Sequence, residues 1–216
     1  MNERINDYLE QLVPKRSDFF QELEQFAAEH RVPIMEPAGI EVLLQLLRIQ
    51  QPKMILEIGT AIGYSALRIA TALPNSKIVT IELDESRYEQ AIANISRANM
   101  EGRITVLKGN ALDLYEEVAQ QGRFDAIFID AAKGQYTKFF EMYCQLLTDR
   151  GCVYTDNVLF KGIVAHQQTE NKRWLKIAEK IRTFNQWLMD HPDYETAIIP
   201  AGDGLAISTK KQLDEK

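Results

Sequence analysis

Met54-Ile55-Leu56-Glu57-Ile58-Gly59-Thr60-Ala61-Ile62-Gly63-Tyr64-Ser65 carries an apolar run straight into two glycines four positions apart. An apolar run of strand length that stops at glycine and continues as a helical pattern reads as a buried parallel strand feeding a tight turn. Two further runs stop in the same manner: 124–129 before Asp130-Ala131-Ala132-Lys133, and 152–155 before Asp156-Asn157. In an open α/β sheet, ligands bind outside the carboxyl ends of the strands, so the three strings are expected to meet in one crevice. That crevice would hold a glycine turn, two carboxylates, an amide oxygen and a lysine.

Working outward, strand patterns recur at 54–58, 77–83, 104–108, 124–130, 151–156, 194–199 and 205–209. Helical patterns lie between them at 64–73, 85–98, 112–121, 136–147 and 172–189. Strict alternation of this kind predicts a parallel, doubly wound sheet of seven strands. The last two strands are joined only by Pro200-Ala201-Gly202-Asp203-Gly204, too short for a parallel crossover, so they should pair as an antiparallel hairpin. Residues 1–50 read as helices: a stripe of Ile5, Leu9 and Leu12 stopped by Pro14, a second helix capped by Ser17 and running to His30, and a third opened by Pro37. Phe19, Phe20, Leu23, Phe26 and Ala27 form the apolar side of the second. No linker or repeat divides the chain, so 1–216 is expected to be one domain, with 1–50 packed on a core spanning 51–210.

The chain has 216 residues, 45% of them hydrophobic, enough to bury a full core. No stretch of membrane-spanning length is apolar, and Glu3, Asp7 and Glu10 replace the basic start of a secretory leader, so a cytoplasmic protein without membrane contact is expected. Cys144 and Cys152 form no CxxC motif, and His30, His166 and His191 are too scattered for a zinc site. A net charge of −6 disfavours indiscriminate nucleic-acid binding.

Gly59 and Gly63 leave room for a cofactor to approach the backbone. Their GxxxG spacing is neither the GxGxxG of a dinucleotide fold nor a P-loop, which weakens dehydrogenase and triphosphatase readings. Glu82, ending the second strand, stands where an acid accepts hydrogen bonds from ribose hydroxyls, and Gly109-Asn110-Ala111 after the third strand would border an adenine. Asp130, Asp156 and Asn157 are hard oxygen donors that suit Mg²⁺, Mn²⁺ or Ca²⁺ and leave positions for water and substrate. A glycine turn beside an oxygen-only metal site points to metal-assisted group transfer.

The string from Glu57 to Ser65 resembles the first motif of class I S-adenosylmethionine-dependent methyltransferases, and more narrowly that of the cation-dependent catechol and caffeoyl-coenzyme A O-methyltransferase family. The likeness runs from about Met35 to Thr209 and implies the family's Rossmann-like fold and its homodimer. By that resemblance Met35, Glu57, Gly59, Thr60, Gly63 and Ser65 serve the methionine end of S-adenosylmethionine. Glu82 holds its ribose, Gly109, Asn110 and Ala111 lie near its adenine, and Asp130 borders both cofactor and metal. Asp130, Asp156 and Asn157 would bind the divalent ion, and Lys133, three residues past Asp130, would be the general base. A lysine beside a cation and a sulfonium has its charged form disfavoured, which suits it to that task. It would take the acceptor's proton as the oxygen attacks the sulfonium methyl in line. A binding protein on a degenerate form of the fold would show damage at these positions, and none is present.

A metal that chelates the acceptor asks for two adjacent oxygens, as in a catechol or in 5-hydroxyuridine. Residues 161–182 carry six basic and two acidic side chains, a net +4 in a chain of −6. Lys161, Lys172, Arg173 and Lys176 are the candidate RNA contacts, beside Trp174. Asp156-Asn157-Val158-Leu159-Phe160-Lys161-Gly162, Thr183-Phe184-Asn185 and Gly202-Asp203-Gly204-Leu205 most resemble the bacterial branch that methylates 5-hydroxyuridine at the tRNA wobble position. The expected acceptor is therefore a tRNA anticodon loop, giving 5-methoxyuridine; the alternative is a small catechol or hydroxycinnamoyl-type phenol.

Overall fold

The computed structural model describes residues 3–166 and 169–212, with side chains from Tyr8 onward. Seven strands form one sheet in the order β3-β2-β1-β4-β5-β7-β6. They are β1 (Met54–Ile58), β2 (Lys77–Glu82), β3 (Ile104–Lys108), β4 (Phe124–Ile129), β5 (Leu147–Thr155), β6 (Tyr194–Ile199) and β7 (Leu205–Lys210). The first five run parallel, and β7 lies antiparallel between β5 and β6, so the expected terminal hairpin forms. The chain order reverses between β1 and β4, the switch point at which such sheets bind ligands.

Helices cover both faces. One carries α2 (Asp18–His30), α3 (Pro37–Gln50), α4 (Tyr64–Ala72) and α5 (Glu85–Arg97), whose apolar residues pack with Ile55, Ile78, Ala126 and Phe128. The other carries α6 (Tyr115–Ala119), α7 (Tyr136–Tyr143) and α9 (Lys172–Met189), packed on Leu56, Ile58, Ile127 and Ile129. Alternate residues of each central strand thus enter opposite cores, which is why these strands read as unbroken apolar runs. Every residue of α4 from Tyr64 to Ala70 is buried, Arg68 included, because α2 and α3 lie over the helix while the sheet lies beneath it. Helices α2 and α3 therefore pack on the sheet's core. The remaining helices are α1 (Glu3–Leu12) and the short α8 (Ile163–His166).

Several boundaries differ from the sequence reading. The helix expected over 112–121 shrinks to Tyr115–Ala119, because the Asn110 side chain accepts from Leu112 N and its carbonyl from Asp113 N, closing a turn first. The helix expected over 136–147 stops at Tyr143 and tightens into a 3₁₀ turn, since Leu147 already pairs with Phe124. β5 consequently begins four residues before 151, with a register shift after Phe124 that takes up its polar start. Asp130 and Asp156 fall just outside their strands, as the first loop residues. Ser17 occupies the N-cap of α2, but its side chain makes no capping bond. In α1 the expected apolar stripe is not buried: Leu9 and Leu12 are exposed, and the Ile5 side chain lies outside the described residues. Among the described residues no helix is long and apolar enough to cross a membrane.

Candidate active site

The carboxyl ends of β1, β2, β3, β4 and β5 are stitched together by backbone bonds that continue the sheet into its loops. Gly109 N donates to Glu82 O at 2.8 Å, Gly59 N to Ile81 O at 3.1 Å, Asp130 N to Ile58 O at 2.9 Å and Asp156 N to Ile129 O at 3.0 Å. Above this edge opens a cavity of about 1120 Å³. Its walls include Met35, Gly59, Thr60, Ser65, Glu82, Gly109, Asn110, Ala111, Asp130, Lys133, Asp156, Asn157 and Lys161, so most residues singled out in the sequence share one space.

Gly59 makes the first turn possible. Its φ of +105° belongs to glycine, and a Cβ there would collide with the Asp130 carbonyl. This close approach brings the glycine turn and the first acidic loop into contact. Gly63 (φ +84°) is the N-cap of α4 and does not line the cavity. Glu57 does not reach the cavity either. It is wholly buried beneath the floor, accepting from Ser65 Oγ and Thr80 Oγ1, each at 2.5 Å. Burial pushes its carboxyl up to about 8, against the two hydroxyl donors. Glu82 binds two loops at once, accepting from Ala61 N at 2.7 Å and Asp84 N at 2.8 Å. Each of its oxygens retains a second lone pair, and the residue lines the cavity.

At the other loops, Asp156 is buried and Asp130 half-buried. Burial raises both carboxyls, Asp130 to about 6 and Asp156 well above its usual range, and for Asp156 the neighbouring Asp130 adds to the effect. Asn157, held at φ +63°, sends Nδ2 to Asp156 Oδ2 at 2.7 Å and lies 3.5 Å from Asp130 Oδ1. Its amide hydrogens thus sit against two crowded carboxylates, where a positive charge is wanted. Turned over, the same amide offers an oxygen. Two carboxylates and an amide oxygen fit a hard divalent ion. Among the described residues no group of three or more His, Cys, Asp or Glu side chains is arranged for a metal, so this mixed set is the candidate.

Lys133, three residues past Asp130, opens a 3₁₀ turn (Lys133–Gln135), and its Nζ stands 5.6 Å from the Phe160 ring centroid. Lys161 Nζ stands 5.5 Å from the Trp174 ring centroid. Lys172, Arg173 and Lys176 lie exposed on α9 outside the cavity. The basic segment is not uniform. Arg182 pairs with Glu179 at 2.8 Å and donates to Val164 O, and Lys180 reaches back against Gly134.

The sequence reading did not assign Tyr64 or Asp203 to the site. Tyr64 OH donates to Glu24 and accepts from Arg68, which also pairs with Glu41 at 2.5 Å; Glu24 in turn receives both Nε and a terminal nitrogen of Arg16. Asp203 lies in the β6–β7 turn. Its carbonyl accepts from Leu159 N and Phe160 N, and its carboxylate from Lys161 N at 3.0 Å. A signal for Asp203 was present: a last strand antiparallel to β5 must begin at the carboxyl end of β5, beside Asp156.

Residues 10–211 match the family model described as O-methyltransferase. A catechol O-methyltransferase of Niastella koreensis is 29% identical over 219 residues, covering 97% of this chain and 97% of that protein. A crystal structure of a candidate caffeoyl-CoA O-methyltransferase from Staphylococcus aureus superimposes with a TM-score of 0.87 at 36% identity, covering 97% of this chain and 99% of the other. The O-methyltransferase from Bacillus cereus in complex with SAH superimposes with a TM-score of 0.80 at 28% identity, covering 96% and 97%.

Proposed function

The chain belongs to the O-methyltransferase family, and from that premise we propose that it uses S-adenosylmethionine and a divalent cation to methylate the 5-hydroxyl of 5-hydroxyuridine at the tRNA wobble position. The observation that carries the chemistry is Asn157 set between the carboxyls of Asp130 and Asp156, beside the glycine turn. The bound SAH of the Bacillus cereus relative supports the cofactor. Gly59, Thr60, Ser65 and Met35 would receive the methionine end, Glu82 the ribose, and Asn110 and Ala111 the adenine. Asp130, Asp156 and Asn157 would hold Mg²⁺ or a similar ion. When bound, the sulfonium provides an electrophilic methyl, and the cation stabilises negative charge developing on the acceptor.

The remaining work belongs to the chain itself. Lys133 takes the acceptor's hydroxyl proton at Nζ, from a wall position shared with Asp130 and Phe160. The stitched loops hold donor and acceptor groups in fixed register, and alignment of this kind is worth on the order of 7–11 kcal/mol in well-oriented intramolecular reactions. Exposed Lys172, Arg173 and Lys176 on α9, the helix that carries Trp174, support an RNA acceptor through phosphate contacts. The names of the catechol and caffeoyl-CoA relatives favour a second reading, a small phenol with adjacent oxygens. Cytoplasmic location and a homodimer accompany the first reading.

Nucleoside mass spectrometry on tRNA bearing 5-hydroxyuridine, with purified protein and S-adenosylmethionine, tests it. One added methyl at that nucleoside, lost on chelation, is expected. Unmodified tRNA together with a methylated catechol control would replace the RNA reading by the phenol one.

A further inference from the structure

Between the catalytic lysine and the protein surface, two aromatic rings stand in contact with a cation over each. Lys133 Nζ stands over the Phe160 ring at 5.6 Å, the Phe160 and Trp174 ring centroids lie 6.2 Å apart at 74°, and Lys161 Nζ stands over Trp174 at 5.5 Å. Phe160 is buried in the cavity wall, whereas Trp174 remains 38% exposed just outside it. Both ends are firmly held. Phe160 and Lys161 adopt φ of 44° and 55°, followed by Gly162 at 74°, and the backbone and carboxylate of Asp203 secure the first two. Consecutive left-handed bulky residues cost energy and persist only where their surroundings enforce them. The enforced result sets the Phe160 ring in the cavity wall and Lys161 Nζ over the Trp174 indole. Trp174 itself is positioned by the Asn171 cap, whose Oδ1 accepts from Arg173 N and Trp174 N at 3.0 and 3.3 Å.

A half-exposed indole just outside the cavity wall, with Lys161 Nζ over its ring and Arg173 beside it in the chain, has the composition of a single-stranded nucleic-acid site: an aromatic face for a base and a cation for its phosphate. We propose that Trp174 stacks a nucleobase adjacent to the one drawn into the cavity, with Lys161 leaving the indole to meet the intervening phosphate. This rests on the RNA reading and adds to it a defined contact for the neighbouring nucleotide. Trp174 is a substrate-positioning residue here and takes no part in the chemistry.

The test compares wild type, Trp174→Ala and Trp174→Phe on an anticodon stem-loop containing 5-hydroxyuridine and on the free 5-hydroxyuridine nucleoside. Trp174→Ala should raise KM for the stem-loop on the order of tenfold, leave kcat within about twofold, and leave the nucleoside reaction unchanged; Trp174→Phe should restore most of the loss. An equal loss on both acceptors would mean that Trp174 only props Phe160, and no loss on either would remove it from the contact. The chain has two tryptophans, so Trp187→Phe leaves Trp174 as its sole indole. In that background the stem-loop should quench fluorescence, and an abasic nucleotide on one side of the target should abolish the quenching. Quenching that survives abasic substitution on either side would overturn the stacking. Should wild type methylate a catechol and leave the stem-loop untouched, the RNA reading fails first and the platform with it.

Discussion

Lys133 and Glu57 are the two residues at which the site's chemistry can be tested one atom at a time. Lys133 lies in the cavity wall without entering the hydrogen bonds that stitch the loops, so Lys133→Ala should fold and bind S-adenosylmethionine normally. Its turnover should fall about 10²–10⁴-fold, the usual worth of a positioned base. Calorimetry with cofactor alongside single-turnover kinetics separates the two effects, and near-normal turnover would remove it as the base. Glu57 makes a stability prediction with a definite sign. In the fold its carboxyl titrates at about 8, whereas its ordinary value is 4.5. Between those values the folded protein holds a proton that the unfolded chain has lost. Stability is therefore fully present below the lower value and declines as pH rises toward the upper one, by about 1.4 kcal/mol per pH unit at most. Glu57→Gln removes that slope. Urea unfolding of the cofactor-free proteins at pH 5 to 8 should show the variant gaining on wild type as pH rises. A difference independent of pH would mean that Glu57 is ionised in its pocket.

At the scale of elements, the decisive join is between the N-terminal helices and the start of α4. Pro33 to Glu36, between α2 and α3, together with Gly39 in the first turn of α3, furnish one cavity wall, while Tyr64 begins the helix after the glycine turn. The two are tied through Tyr64 OH, Glu24, Arg68, Glu41 and Arg16. Tyr64→Phe leaves buried polar groups short of a partner, at a cost of about 1–3 kcal/mol. The variant should melt earlier and also bind S-adenosylmethionine more weakly, because the wall carrying Met35 loses its tie to the floor. A lower Tm with unchanged affinity would show that the wall stands without this network. Element type was legible wherever a run was strongly patterned, as in β1, β4 and α9. It failed where a side chain or a strand partner intervened: Asn110 shortened the following helix, and pairing of Leu147 with Phe124 ended the next one early.

For the whole molecule, α1 poses the question of assembly. It displays Tyr8 and Leu12, each 60% exposed, with Leu9 also outward. An apolar stripe left open on one chain is a natural contact for a second copy. If the proposed homodimer forms through α1, Leu9→Asp combined with Leu12→Asp should make it a monomer by light scattering after size exclusion. A dimer that survives both changes places the interface elsewhere. The sequence by itself determined the alternating architecture, the terminal hairpin and the identity of the glycine, acidic and lysine strings, because period, turn length and donor chemistry are local properties. Only the tertiary structure decided that Glu57 lies beneath the cavity floor, that Asp203 clamps the segment after Asp156 and Asn157, and that Trp174 stands against Phe160 at the mouth. Those relations join residues 8 to 44 positions apart in the chain. They follow from strand order and helix packing, which no short window of sequence contains.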